Sequence, residues 1–145
     1  MLVASLHGDP GKGVFPLFWG AADETGIGDG AGYNANFPLP LSTKIESYLQ
    51  TLELALDRIR DFEPDYLVVS LGYDLVDGDP YGSFQISVRD LEVIGAAIGQ
   101  LELKTLLIQE GGYQLDNISD CAESFLSGLS RTYGASTTIV KPDEP

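Results

Sequence analysis

Three carboxylates stand close together in this sequence, directly after an apolar run. Asp74, Asp77 and Asp79 fall within a six-residue span, and the run Tyr66–Leu71 precedes them. Carboxylate oxygens arranged in this way could hold a metal cation. Asp and Gly in the same stretch also favour turns, because their short side chains bond to the local backbone. Spacing alone leaves both interpretations open and favours the turn.

A tyrosine follows another apolar run in a comparable position. Tyr113 comes after Gly111 and Gly112, and paired glycines allow a backbone to pass close to a ligand. The phenol could donate a hydrogen bond to a developing oxyanion. A strand-to-helix turn with a packing tyrosine is the commoner arrangement, and the residue pattern does not decide between the two.

His7 is the only histidine among 145 residues, which limits the hydrolytic mechanisms that this chain could use. A Ser-His-Asp triad would have to use it, and no G-x-S-x-G segment exists to present the serine. The glycines at every second position from Gly26 to Gly32 follow no strand directly, and nearby carboxylates would repel a pyrophosphate. We therefore expect a structural histidine and a close-packed glycine loop.

Apolar residues at alternating three- and four-residue steps predict the helices that position these groups. A helix of about 18 residues is expected to begin at a capping box formed by Thr43 and Glu46. Ser87 and Asp90 are expected to cap a second helix, and a third begins near Asn117.

The alternation of apolar runs and helices predicts an α/β fold, a three-layer parallel sheet flanked by helices. The expected divisions are a strand at 1–6, a Gly- and Pro-rich active-site loop at 7–40, alternating helices and strands at 41–141 and a tail at 142–145. Within the third division the expected strands are Tyr66–Leu71, buried on both faces, Thr105–Gln109 and Thr137–Lys141. Ligands bind at the carboxyl ends of parallel strands, so the three loops that follow such ends are the places to search.

Composition excludes several classes of function. A net charge of −14 with eight scattered Lys and Arg residues leaves no basic surface for nucleic acid. No run reaches the roughly 18 apolar residues of a membrane span. A single cysteine implies no disulfide framework, and these features together predict a cytoplasmic protein. The excess of carboxylates either attracts cationic substrates or only keeps the protein soluble.

Several segments resemble one family, in the same order and over nearly the whole chain. They are SLHGDP at 5–10, FPLFWG at 15–20, ADE at 22–24, YNANFPLP at 33–40, LVVSLGYDLVDGDPYGSF at 67–84 and QEGGY at 109–113. This pattern resembles the C-terminal half of the acetylpolyamine amidohydrolase and histone deacetylase family. The resemblance implies an arginase-deacetylase fold, with a metal site at the strand ends.

By the same resemblance, the activity is zinc-dependent removal of acetyl groups from acetylated polyamines or lysines. Asp74 matches an aspartate that binds the catalytic zinc, which would activate a water molecule. Tyr113 matches the tyrosine that polarises the amide carbonyl. Phe15 and Gly112 match residues that line the substrate tunnel, and Tyr81 stands where polyamine-selective relatives can place an acidic gatekeeper.

The resemblance also implies monovalent cation sites, with potassium as the ion. Ser5 and the carbonyl of Leu6 match part of one such site near the zinc. The carbonyl of Tyr33 matches part of a second.

Two elements of the family pattern are absent from this chain. The family takes its other zinc ligands from an Asp-x-His segment and its general base from a His-His pair, and neither occurs here. One matched ligand cannot form a three-ligand catalytic zinc site. The sequence therefore predicts part of a deacetylase that is inactive alone, or alternatively a noncatalytic remnant that acts as an interaction or assembly module. We also expect self-association or pairing with a missing N-terminal half, since the apolar strand at 1–6 would otherwise lack cover.

Overall fold

Strands and helices alternate along residues 1–133, which the computed structural model describes. The strands are β1 (Val3–Gly8), β2 (Asn34–Leu39), β3 (Tyr66–Leu71) and β4 (Lys104–Gln109). The α-helices are α1 (Ile45–Phe62), α2 (Asp90–Gly99) and α3 (Ile118–Thr132), and short 3₁₀ turns lie at Pro10–Lys12, Gly28–Gly30 and Leu115–Asn117. None of the helices described is both long and apolar enough to cross a membrane.

All strand pairing follows the parallel pattern that the sequence predicts. β1 pairs with β2, with Val3 opposite Asn34, and β3 pairs with β4, with Tyr66 opposite Lys104. No ladder joins the two pairs within the described residues. An isolated bridge between Lys44 and Gln85 links the segment after β2 to the segment after β3. The molecule is thus an α/β protein with two separate pairs of parallel strands.

The core lies between the helices and one face of the sheet. Its most deeply buried side chains come from all three helices and from the loop before α2, namely Leu56, Ile86, Leu91, Cys121 and Phe125. Burial raises the pKa of the Cys121 thiol, with smaller contributions from Asp120 and Asp79. This cysteine therefore acts as a small core residue in the described fold.

The opposite face of the β3–β4 pair is exposed, which corrects the prediction of a fully buried strand. Val68 is 57% exposed, and its cross-strand partner Leu106 is exposed to the same extent. Tyr66 and Ile108 extend this apolar face. Parallel sheets are usually covered on both sides. The continuous apolar run Tyr66–Leu71 was therefore predicted to be buried on both faces.

The long loop expected at 7–40 contains a strand that the sequence analysis missed. β2 has the sequence NANFPL, which combines two asparagines with a proline and has no β-branched residue, so its strand signal is weak. Asn34 and Asn36 donate side-chain hydrogen bonds to the carbonyls of Glu24 and Ala21. These asparagines tie the preceding loop to the strand.

The helices lie where the sequence predicts them, but the capping box predicted for α1 is not formed. Lys44 precedes α1 without a capping side chain. The Thr43 hydroxyl instead donates to the Pro40 carbonyl at 2.6 Å, because this threonine is turned into the core. Ser87 pairs with Asp90 as predicted, since both its backbone N–H and its hydroxyl donate to the carboxylate at 2.8 Å. The residue at the N-cap of α2 is Arg89, however, and it makes no side-chain capping bond.

Other boundaries differ by one or two residues. β1 begins and ends two residues later than expected, and β4 begins one residue earlier. The strand predicted at Thr137–Lys141 and the tail at 142–145 lie outside the described residues.

Two helices pack so closely that their contact requires glycine. A Cβ atom on Gly128 in α3 would overlap the backbone carbonyl of Glu92 in α2, and a Cβ atom on Gly95 would overlap that of Phe125. We expect Gly128→Ala to destabilise the fold by about 1–3 kcal/mol through overpacking, even though alanine favours helices. Urea unfolding of the purified chain measures this.

Gly30→Ala provides a matched control for that substitution. No heavy atom lies within 4 Å of a Cβ atom at Gly30, and its φ is not positive. Its free energy of unfolding should stay within about 0.5 kcal/mol of the parent value. An unchanged or raised urea midpoint for Gly128→Ala would show that the two helices do not touch as described.

Candidate functional site

A cavity of about 620 Å³ opens between the carboxyl ends of β1 and β3. Six of the residues predicted from the sequence line it, namely Ser5, Leu6, Phe15, Asp74, Tyr81 and Tyr113. They come from β1, the loop after it, and the loops after β3 and β4. The fold therefore brings residues from distant parts of the sequence to one cavity at the strand ends.

Asp74 lies in a space that only glycine backbones leave open. A Cβ atom on Gly111 would lie 2.6 to 2.8 Å from three atoms of the Asp74 carboxyl group, and one on Gly72 would also overlap it. Burial raises the pKa of Asp74, and the negative charge of Asp79 raises it further. A bound cation would offset both effects, so this carboxylate suits a metal ligand.

Tyr113 projects from the loop after β4 and is half exposed, at 51%. Its ring packs edge-on against Tyr81, with centroids 4.8 Å apart and an interplanar angle of 73°. Phe15, from the loop after β1, also lines the cavity and is 83% exposed. The rings of Phe15, Tyr81 and Tyr113 are therefore among those that line the cavity together with the Asp74 carboxylate.

The residue that fixes Tyr113 was missed as a functional residue by sequence reasoning. Asp79 is buried, and its carboxylate accepts hydrogen bonds from the backbone N–H groups of Tyr81, Tyr113 and Gln114. The sequence indicated either a cation ligand or a turn at Asp79, and favoured the turn. Its bond to Tyr81 is of that local kind, whereas the bonds to Tyr113 and Gln114 are long-range.

Tyr48 is a second residue that the sequence did not indicate. It lies on α1, lines the cavity and packs edge-on against Phe84. Burial, together with the charge of Asp74, raises the pKa of Tyr48 to about 12. Its phenol therefore stays protonated at physiological pH.

The single histidine has the structural role that was expected. The His7 Nε2 atom lies 2.9 Å from the Gly20 carbonyl and must donate to it, because a carbonyl only accepts. In the neutral ring, Nδ1 then accepts from the Ser5 hydroxyl at 2.8 Å. His7 thus joins β1 to the loop that carries Phe15.

Two predicted site residues lie outside the cavity lining. Gly112 has a φ of 123°, and a Cβ atom there would lie 3.0 Å from that of Tyr73, so the turn before Tyr113 requires glycine. The Tyr33 ring packs against Phe62, and its carbonyl accepts from the Val3 N–H at 3.0 Å. The predicted tunnel role of Gly112 and cation role of Tyr33 stay predictions.

The three carboxylates after β3 do not converge on a common point. Asp77 is exposed, whereas Asp79 is occupied by backbone N–H groups. Among residues 1–133, no group of three His, Cys, Asp or Glu side chains is placed to hold a metal ion. Asp74 is therefore the carboxylate of the three that is available to a ligand in the cavity.

Comparison with known proteins identifies the family. The model of the histone deacetylase domain matches residues 1–129. The chain belongs to the histone deacetylase family. Among its relatives, an acetylpolyamine amidohydrolase from Burkholderia pseudomallei is 37% identical over 92% of this chain and 39% of its own length. Acetylpolyamine amidohydrolase 2 from Pseudomonas aeruginosa is 41% identical over 89% of this chain and 37% of its own length.

Solved structures of the family share the fold. The acetylpolyamine aminohydrolase from Burkholderia pseudomallei matches with a TM-score of 0.87 and 37% identity, over 90% of this chain and 38% of that chain. The histone deacetylase Clr3 matches with a TM-score of 0.79 and 28% identity, over 88% of this chain and 22% of that chain. The predicted arginase-deacetylase fold is confirmed. The chain spans less than two fifths of the length of these relatives.

Proposed function

We propose that this chain forms part of the active site of a zinc-dependent amidohydrolase that removes acetyl groups from acetylated polyamines or lysines. The observation that carries the proposal is the convergence of Asp74 and Tyr113 on one cavity in a member of the histone deacetylase family. The chain covers less than two fifths of these relatives, so the activity of the whole protein is part of this proposal.

Tyr113 would stabilise the charge that develops during amide hydrolysis. As a nucleophile attacks the acetyl carbonyl, its oxygen becomes negative, and a phenol held at fixed distance can donate to it without reorganisation. The half-exposed ring of Tyr113 can reach a substrate in the cavity. Phe15 and Tyr81 would contact the methylene chain of the acetylated amine.

Asp74 would supply one ligand of the zinc site. Its carboxylate lines the cavity, and burial together with the charge of Asp79 raises its pKa. A catalytic zinc needs three protein ligands, and the residues described here gather one. The remaining ligands and the general base would come from additional polypeptide, and the zinc would supply Lewis-acid chemistry when bound.

Ser5 and Leu6 would contribute to a potassium site beside the zinc. Both line the cavity, and the Ser5 oxygen keeps acceptor capacity after donating to His7. The Tyr33 carbonyl would serve a second site farther away.

Several features bear on the substrate class and on the location of the protein. The net charge of −14 would attract cationic amines, while Tyr81 offers no carboxylate to select for a polyamine. We therefore propose acetylated amines as the substrate class, with polyamine and lysine compared by direct assay. The single buried cysteine suits a cytoplasmic location.

The exposed face of the β3–β4 pair supports a requirement for more polypeptide. Val68 and Leu106 form the centre of an apolar surface, and such surfaces favour association. Either a complementary N-terminal half or a second copy of the chain would cover it. The alternative function is a noncatalytic assembly module. It is favoured by the hydrogen bonds of His7, because both ring nitrogens of the single histidine are engaged in structural contacts.

We expect the isolated chain to show no deacetylation of acetyl-lysine or acetylated polyamines, because it lacks the histidine pair and two zinc ligands. Co-expression with the N-terminal half of an acetylpolyamine amidohydrolase should give a complex with chelator-sensitive activity. Acetate release measures both. Chelator-sensitive turnover by the chain alone would contradict the proposal that additional polypeptide completes the active site. A stable but inactive complex would favour the assembly module.

A further inference from the structure

The loops after β3 and β4 meet at one buried carboxylate. Asp79 Oδ2 accepts hydrogen bonds from the backbone N–H groups of Tyr113 at 2.7 Å and Gln114 at 3.2 Å. Its other oxygen, Oδ1, accepts from the N–H of Tyr81 at 2.9 Å. Asp79 is only 8% exposed. A single side chain therefore holds both loops by their backbones.

These contacts are of a strong kind. Hydrogen bonds from N–H groups to a carboxylate are about twice as strong as those between neutral groups. Low exposure at Asp79 strengthens them further, since little water competes for the oxygens. Removing the carboxylate would leave three part-buried N–H groups without this acceptor, so the local structure depends on it.

The same carboxylate also fixes the relative position of two rings. Tyr81 and Tyr113 are both bonded to Asp79 through their own backbone N–H groups, and their rings pack edge-on at 4.8 Å. Before Tyr113, the loop is tied to β3's end by the bond from the Tyr73 N–H to the Gly111 carbonyl at 3.0 Å. Between that bond and α3, the hydrogen bond to Asp79 is the one in the described structure that holds the Tyr113 backbone.

We propose that Asp79 is a positioning residue, which holds the Tyr113 phenol in the cavity by fixing the backbone of Tyr113 and of its ring partner Tyr81. Asp79 itself does not line the cavity. The catalytic consequence rests on the function proposed above. The structural consequence, which is the fixed backbone at Tyr113 and Tyr81, does not depend on that function and can be measured in this chain alone.

The structural test is hydrogen exchange at backbone amides in the full 145-residue chain, followed by NMR. In Asp79→Asn the side chain keeps its shape but has one acceptor oxygen, and its NH₂ group faces an N–H. We expect the amides of Tyr113 and Gln114 to exchange at least 10-fold faster, while those in α3 keep their protection. Asp77→Asn, at an exposed carboxylate two residues away, should leave all of these rates unchanged.

Each outcome of this measurement decides the structural part. Exchange rates in Asp79→Asn equal to those of the parent would overturn the proposal, as would unprotected Tyr113 and Gln114 amides in the parent chain. If Asp79→Asn unfolds the chain, so that α3 also loses protection, Asp79→Glu is measured instead. It keeps the charge but displaces the oxygens, and unchanged rates there would again overturn the proposal.

The catalytic test uses the complex with the complementary N-terminal half. Asp79→Asn should lower kcat by roughly 10- to 100-fold, the size expected when a reacting group is displaced by about 1 Å. KM and zinc content should stay near the parent values, and Asp77→Asn should behave as the parent. A parent-like kcat together with accelerated exchange at Tyr113 would overturn the positioning role. A parent complex without activity would instead refute the proposed function, while the exchange data still decide the structural part.

Discussion

Asp74→Asn is expected to remove zinc from the complex of this chain with a complementary N-terminal half, and deacetylation with it. An amide oxygen is a weak zinc ligand, and the charge of the carboxylate is lost. Loss of an outer-shell partner alone lowers metal affinity by roughly 10- to 100-fold, so loss of a direct ligand should exceed that range. Zinc content after dialysis and acetate release measure the two effects.

The stability of the metal-free chain separates loss of a ligand from loss of the fold. Burial and Asp79 raise the pKa of Asp74 in the folded state, so the folded chain holds this proton more tightly than the unfolded chain. This carboxylate therefore destabilises the metal-free fold as pH rises through the interval between its ordinary and its raised pKa. Asp74→Asn removes that effect and should melt no lower than the parent at neutral pH. A full zinc content in this variant would refute the assignment.

Tyr113→Phe is expected to lower kcat by roughly 10² to 10³, the usual effect of deleting one oxyanion donor. The substitution removes only the hydroxyl, so the ring can still pack against Tyr81. Zinc content and KM should therefore stay near the parent values, which distinguishes this variant from Asp74→Asn. Steady-state kinetics on an acetylated amine, with zinc measured in the same preparation, provide the comparison.

Tyr133→Phe is the matched control, because it deletes a phenol hydroxyl at the end of α3, away from the cavity. Its kinetics should equal those of the parent. Parent-like turnover by Tyr113→Phe would show that this phenol does not stabilise the developing oxyanion. The loop after β4 would then be interpreted as an ordinary turn with a packing tyrosine.

The helices could be predicted because their apolar spacing is a local property of the sequence. α1 was predicted at its observed length, and β3 with its observed bounds. β2 was missed because its strand-forming residues are few, and its asparagines bond to the preceding loop. Exposure of Val68 could not be predicted either, since a run of apolar residues does not indicate whether both faces of a strand are covered.

The site shows the same division between local and long-range information. Asp74 and Tyr113 could be found because each follows a strand and lies in a family motif. The role of Asp79 depends on backbone N–H groups 34 and 35 residues away. Every residue type except proline carries the same backbone N–H donor, so no pattern of side chains predicts such contacts.

The loop that carries Phe15 is anchored independently of Tyr113. It is held by His7 at the Gly20 carbonyl and by Asn36 at the Ala21 carbonyl, whereas Tyr113 is held by Asp79. Mutations that reshape the Phe15 wall therefore leave the anchor of the phenol intact. Such an arrangement would let substitutions change the shape of the cavity around Phe15 over evolutionary time without displacing the Tyr113 phenol.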